Sequence, residues 1–334
     1  MMNLTLAIPS LNRPSERPVP FDTPGLNALL RFGHFTSLPA ETSVFYARHL
    51  WRGKPEISIL AELGLSADTP ALLAAPVCQQ MGMNQAHLAS GRALSVTAQE
   101  AAQWCAGLND FFCEDGWRFY PFKPDLWLLT LPKQPDWQVP SVLDMLGQAD
   151  GMERMERYAA PDWLSKQTEI QMWLHAHPLN AARPMPVNGV WLWPGRSDGQ
   201  AEAGFTATDS SWLLRPGLPQ DAAPYDWAAF EAMLEECGQQ ISDGLIFLDD
   251  LTVSVAADDE ESYRQLLADW DVRFFTPIRL ALQKGRLKNL TLTTDGEHGG
   301  VLNIRTKAER AFWKRKKVFT GTLRWARSTA ILAN

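Results

Sequence analysis

The chain lacks most of the features that assign a protein to a specialised class. No apolar run approaches 18 residues, so no transmembrane helix is expected. Residues 1–10 have no basic n-region and read as a first strand rather than a secretion signal. The four cysteines, Cys78, Cys105, Cys113 and Cys237, form no CxxC pair, which argues against a zinc ribbon or a disulfide framework and fits a reducing cytoplasm. There is no P-loop, no G-x-G-x-x-G and no serine nucleophile elbow. Histidine is scarce, at six residues. Excess positive charge is also missing, since the formal net charge is -7, and this excludes a globally basic nucleic-acid binder.

What is present is ordinary globular composition, with 46% hydrophobic and 21% charged residues. A length of 334 residues suits two domains or one large α/β unit. Tryptophan is abundant, at 14 residues against 5 tyrosines, and is assigned to core and sheet packing. Charge is unevenly spread. The segment 303–327 holds nine basic residues and one acid, Glu309, a net of +8, so the remaining 309 residues carry -15.

Periodicity gives the outline of the elements. Leu4–Ile8 reads as a strand, and Thr23-Pro24 as an N-cap with proline at N1, opening a helix to about Arg31. Helices are predicted over Ala40–Trp51 and Glu56–Leu63, and a buried strand over Ala71–Val77. Thr97–Glu100 is a capping box that starts a helix to about Cys113. Strands at Trp117–Phe122 and Leu126–Leu131 precede a helix at Asp162–Ala176 and a strand at Val187–Trp193. The last third predicts a helix at Trp227–Cys237, a strand at Gly244–Leu248, one long helix at Asp258–Gln283 and a strand at Leu290–Thr293. The alternation predicts an α/β fold with helices on both faces of a sheet. Residues 1–70 and 216–334 are assigned to that core, and residues 71–215 to an inserted α+β lobe.

Three clusters carry candidate chemistry. The first is His175, His177, Asn180, Arg183 and Asn188. Two histidines at i and i+2 share a face only on a strand, where they suit a metal. At a helix end His175 complements the dipole and His177 lies at the exit. The cluster is open to three readings: metal binding, structural capping, or a ligand site in which Arg183 takes an anion and Trp191 or Trp193 forms a wall. The second cluster, Asp295 and His298, follows a strand, where α/β enzymes place chemistry, and is a candidate for Mn or Zn; it also reads as a plain hairpin. The third is the basic stretch from Arg310 to Lys317, with Trp313 and Trp325 beside it. It suits either nucleic-acid contact or a solvated face.

One stretch supports a more specific reading. Glu169, Gln171, Met172, Leu174, His175, His177, Pro178, Asn180 and Arg183 match the pattern E-x-Q-M-x-L-H-x-H-P-x-N-x-x-R. Pro186, Val187, Asn188, Trp191, Leu192, Trp193 and Gly195 continue it. This resembles a bacterial family of RpfE-type regulatory proteins, described as phosphoglycerate mutase-like. Residues Pro76-Val77, 108–116 and 127–129 look like the same family, although Ala75 and Cys78 stand where it has Asp and His. The resemblance covers about residues 70–195.

The resemblance implies an alkaline phosphatase-like mixed sheet and a relation to cofactor-independent phosphoglycerate mutases. Asp22–Leu29 is similar to the helix that follows their first strand, and Leu292–Gly299 to their T-A-D-H-G strand end with two residues inserted. Such enzymes use two metal ions, which require a full set of Asp and His ligands. Here Pro9-Ser10 replaces the aspartate that ends the family's first strand, and Ala256–Tyr263 contains acids but no histidine. The expectation is therefore a degenerate, non-catalytic, cytoplasmic regulatory protein that needs no cofactor and binds a phosphorylated metabolite or a protein partner. The alternatives are a phosphomutase or phosphatase using Mn or Zn, and nucleic-acid binding through the basic segment.

Overall fold

The computed structural model describes residues 1–15, 18–81, 86–146, 157, 160–201, 204–238, 241–308 and 313–324. Two sheets organise them. The first has seven strands in the order β2-β12-β11-β1-β10-β8-β9. These are β1 (Met2–Ala7), β2 (His34–Ser37), β8 (Phe205–Ala207), β9 (Gln220–Asp221), β10 (Asp243–Phe247), β11 (Leu287–Thr294) and β12 (Gly300–Arg305). Strand β1 lies parallel to both β10 and β11, while β12 and β2 extend the sheet antiparallel. The result is a mixed sheet with parallel strands at its centre. The second sheet joins β4 (Ala86–Ser90), β3 (Ala71–Met81), β6 (Leu126–Thr130) and β5 (Arg118–Lys123), and β7 (Gly189–Trp193) also pairs with β3.

Strand alternation decides which face meets which core. Leu4, Leu6, Ile246, Leu290 and Leu292 face one side of the first sheet. They are covered by α1 (Pro24–Phe32), α7 (Trp227–Glu236), α8 (Leu251–Ala256), α9 (Glu260–Trp270) and α10 (Thr276–Gln283). Ala7 and Phe247 face the other side. There they meet α2 (Thr42–Leu50) and a second core that runs through α3 (Pro55–Glu62), α4 (Ala98–Phe111), α5 (Val142–Met145), α6 (Pro161–His175) and the second sheet. Strand β8 is already part of the first sheet, ahead of residue 216. Helices α2 and α3 precede residue 71 yet pack into the second core.

Two local expectations are corrected. The helix predicted over Asp258–Gln283 is α9, a five-residue π turn at Asp271–Phe275, and α10. Asp258 stands outside it at φ 54°, and Asp259 caps it by accepting from the Ser262 N–H. Thr23 makes no side-chain cap on α1. The Asp271 carboxylate accepts instead from the N–H groups of Gly25 (2.9 Å) and Leu26 (2.8 Å). A cap supplied 246 residues away cannot be read from local spacing. No helix among the described residues is long and apolar enough to cross a membrane.

Candidate functional site

The His175–Asn188 cluster lies beside the second sheet, and its polar atoms serve the local fold. His175 is exposed in the last turn of α6. His177 Nδ1 accepts from the Leu179 N–H at 3.3 Å, its ring lies against Trp173, and burial pulls its pKa below the ordinary histidine value. The Asn180 amide donates to the carbonyls of Leu174 and Val187, and its oxygen accepts from the Val187 N–H. Arg183 pairs with Glu100 at 2.5 Å, donates to the carbonyls of Met185 and Leu94, and stacks over Trp104. Asn188 forms a two-way bridge to the main chain of Gln79. Trp191 and Trp193 are buried; the Trp191 indole donates to the Pro140 carbonyl and Trp193 packs on Trp212. His177 and Arg183 thus meet at Trp104, whereas the two tryptophans face the core rather than the polar groups.

A different set converges where the parallel strands end. In open α/β sheets, the crevice beyond the carboxyl ends of the strands is the usual ligand site. Here Ser10 follows β1, Asp249 follows β10 and Asp295 follows β11. Ser10 and Asp249, with Thr42, Tyr46, Arg92, Asp125, Trp212 and Thr252, help line a small cleft there, and Asp295 lies behind it, bound to Ser10 and Thr42. Asp295 is 5% exposed. Its oxygens accept from the Ser10 N–H at 2.7 Å and from the Thr42 hydroxyl at 2.6 Å. Ser10 sits at φ 61°, an unusual conformation for a non-glycine residue.

Asp249 accepts from the Tyr46 hydroxyl at 3.3 Å and from Ser210, and pairs with Arg92 at 3.3 Å. Arg92 also pairs with Asp250. Burial raises the pKa of both Asp249 and Asp295, against the opposing pull of Arg92 on the first and of Thr42 and Ser10 on the second. Burial and the two nearby carboxylates raise the Tyr46 pKa well above its ordinary value.

The N-terminus of α2 opens onto the same crevice. A helix N-terminus holds anions because its N–H groups lack internal partners. This one is met by the protein's own acids: Asp144 accepts from the Ser43 N–H at 2.8 Å, and Asp295 accepts from Thr42. The crevice therefore contains carboxylates already bound to internal donors, with Arg92 reaching in from the turn after β4 of the second sheet. A phosphate placed there would meet Asp249.

The donor set does not fit the two-metal centre that the sequence resemblance implies. No group of three or more His, Cys, Asp or Glu side chains among the described residues is arranged to hold a metal ion. Asp295 is present, but His298 is exposed, and its backbone carbonyl accepts from the Asn12 side chain. Of the basic segment, Arg310 and Trp325 lie outside the described residues. Trp313 is 73% exposed, while the Lys314 carbonyl accepts from Arg31 and Phe319 is buried, so the segment returns onto α1.

Sequence reasoning missed Asp249, Arg92, Tyr46 and Thr42. The first could have been found, since Asp249-Asp250 directly follows a predicted strand. Nothing local marks the other three.

No family model and no curated protein matches the chain. Among solved structures it is similar to the PH0037 protein from Pyrococcus horikoshii, at 12% identity and TM-score 0.49, over 95% of this chain and 90% of that one. It is also similar to the cofactor-independent phosphoglycerate mutase from Thermoplasma acidophilum, at 14% identity and TM-score 0.43, over 98% of this chain and 96% of that one. At these values neither likeness carries an argument. The mixed α/β architecture stands on its strand pairing and core.

Proposed function

We propose that the chain is a phosphoglycerate mutase-like regulatory protein, of the RpfE type, that binds a phosphorylated metabolite without turning it over. The sequence pattern over about residues 70–195 supports the family reading. One observation carries the non-catalytic reading: the carboxylates at the strand ends and at the start of α2 are bound to internal donors. Asp295 is held by Ser10 and Thr42, and Asp144 by Ser43. A metal-dependent phosphoryl transfer needs those oxygens on metal ions and that helix end on phosphate.

Purified protein, supplied with Mn2+ or Zn2+, is to be assayed on 3-phosphoglycerate and on p-nitrophenyl phosphate. The expected result is no turnover above that of Asp295→Asn. Turnover in the wild type that Asp295→Asn abolishes would reject the reading.

A further inference from the structure

The basic segment near the C-terminus, which the metabolite reading leaves unused, is fixed along α1. At one end Lys314 Nζ donates to the Phe32 carbonyl at 3.1 Å, and Arg31 Nε donates to the Lys314 carbonyl at 2.7 Å. At the other end the Asn27 side chain accepts from the Phe319 N–H at 2.6 Å, and the Phe319 ring is buried against Phe21. Residues 314–319 therefore run back along α1 from Phe32 to Asn27, with one side fixed to the protein.

The outward side combines cations with apolar groups. Lys314, Arg315 and Lys316 are exposed in succession. Trp313 before them is 73% exposed and Val318 after them is 42% exposed. Further cations lie close by. Burial and the neighbouring Lys314 hold the Lys317 pKa below the ordinary lysine value. Arg279, Arg305 and Lys307 line a small groove that reaches Phe32, and no carboxylate lines it. Among the described residues, Arg305, Lys307, Arg315 and Lys316 form no ion pair with a carboxylate.

Like charges gathered on one surface repel one another and favour an anionic partner surface. A nucleic acid and an anionic bilayer both supply one. Single-strand sites stack successive bases on aromatic faces, and duplex readers send a helix or a strand pair into a groove. Here one tryptophan stands in a short irregular segment, and the other exposed apolar group is a valine, which offers no ring for stacking. A bilayer uses both kinds of group. Tryptophan and aliphatic side chains enter the headgroup boundary, while lysine and arginine meet the lipid phosphates.

We infer that this strip docks the protein on an anionic lipid bilayer, with Lys314, Arg315 and Lys316 on the headgroup phosphates and Trp313 and Val318 at the headgroup boundary. So few cations with one aromatic anchor give reversible attachment that salt weakens. The inference stands apart from the metabolite reading and uses none of its residues.

The test uses the full chain. It is mixed with vesicles of phosphatidylcholine alone, or of two parts phosphatidylcholine to one part phosphatidylglycerol, and binding is read by co-sedimentation. The variants are the double substitution Arg315→Gln with Lys316→Gln, at two exposed positions, and Trp313→Phe. Thermal unfolding checks that both are folded. Tryptophan emission is recorded with and without vesicles, and a single-stranded oligothymidylate is titrated in parallel.

The expected result is binding to the phosphatidylglycerol vesicles and not to phosphatidylcholine, weakened about tenfold or more in the double variant and released by high salt. Vesicles are expected to shift the wild-type emission to the blue, and the shift is expected to disappear in Trp313→Phe. No vesicle binding, equal binding to both vesicles, or equal affinity in the double variant would overturn the inference. Saturable binding of the oligonucleotide without vesicle binding would overturn it in favour of a nucleic-acid surface.

Discussion

Asn180, Arg183 and Asn188 use their side chains on main-chain groups of the loop between α6 and β7 and of its neighbours. A ligand site and a self-bracing loop need the same residue types, and only the partner atoms separate them. Those partners are carbonyls and N–H groups, which carry no signature in a sequence. Asp295 was legible as a strand-end acid, but its commitment to Thr42, 253 residues away, was not.

His49 offers a measurable consequence. Burial, with Arg48 and Arg215 nearby, lowers its pKa from the ordinary 6.5 to about 3. Below pH 6.5 the unfolded chain binds a proton that the folded chain refuses, so stability falls as pH drops from 6.5 toward 3. The slope approaches ~1.4 kcal/mol per pH unit once pH is well below 6.5. The buried carboxylates Asp249, Asp295, Asp144 and Glu56 have raised values and act the other way, since the folded chain takes their protons first. A comparison with His49→Gln isolates the histidine. In urea unfolding without phosphate, wild type is expected to lose roughly 1 kcal/mol more than the variant between pH 6.5 and 5.5. Parallel curves would contradict the assigned burial.

At the scale of elements, most helices and central strands were readable because their apolar periodicity reflects a single core. The helices α1, α4 and α6 and the strands β1, β7 and β10 lie within a few residues of their expected places. Short edge elements were not readable. Strands β2, β8, β9 and β12 are brief or half-solvated, and their pairing depends on distant partners. The π turn at Asp271–Phe275 was hidden for another reason: it preserves the helical pattern while turning Asp271 toward α1.

That carboxylate also accepts from the Thr276 hydroxyl at 3.0 Å. Helix α1 lies tight against the same turn, and a Cβ on Gly25 would meet the Thr276 main-chain nitrogen at 2.6 Å. Asp271→Asn removes the charge and leaves only one amide oxygen for the two N–H groups. It is expected to cost about 2 kcal/mol in urea unfolding. A loss under 0.5 kcal/mol would mean that α1 does not depend on this cap.

At the scale of the molecule, two cores lie on either side of the first sheet, and Arg92 crosses between them. It sits on the 3-10 turn Gly91–Leu94, next to β4, and reaches Asp249 and Asp250 beyond β10. Tyr46 bridges the same gap from α2. The aromatic middle of the chain supplies β3, β5, β6 and β7 of the second sheet, which were legible as strands. The join was not, because it consists of single polar residues from segments far apart in sequence. At this join the strand-end acids Asp249 and Asp295 accept from internal donors and brace the fold, and the proposed non-catalytic role rests on that. The most direct test is a calorimetric titration of Mn2+ and Zn2+ into wild type, Asp249→Asn and Asp295→Asn. The expected result is no stoichiometric binding in the wild type at micromolar metal and no difference among the three proteins. One or two tight sites in the wild type, lost in either variant, would contradict it.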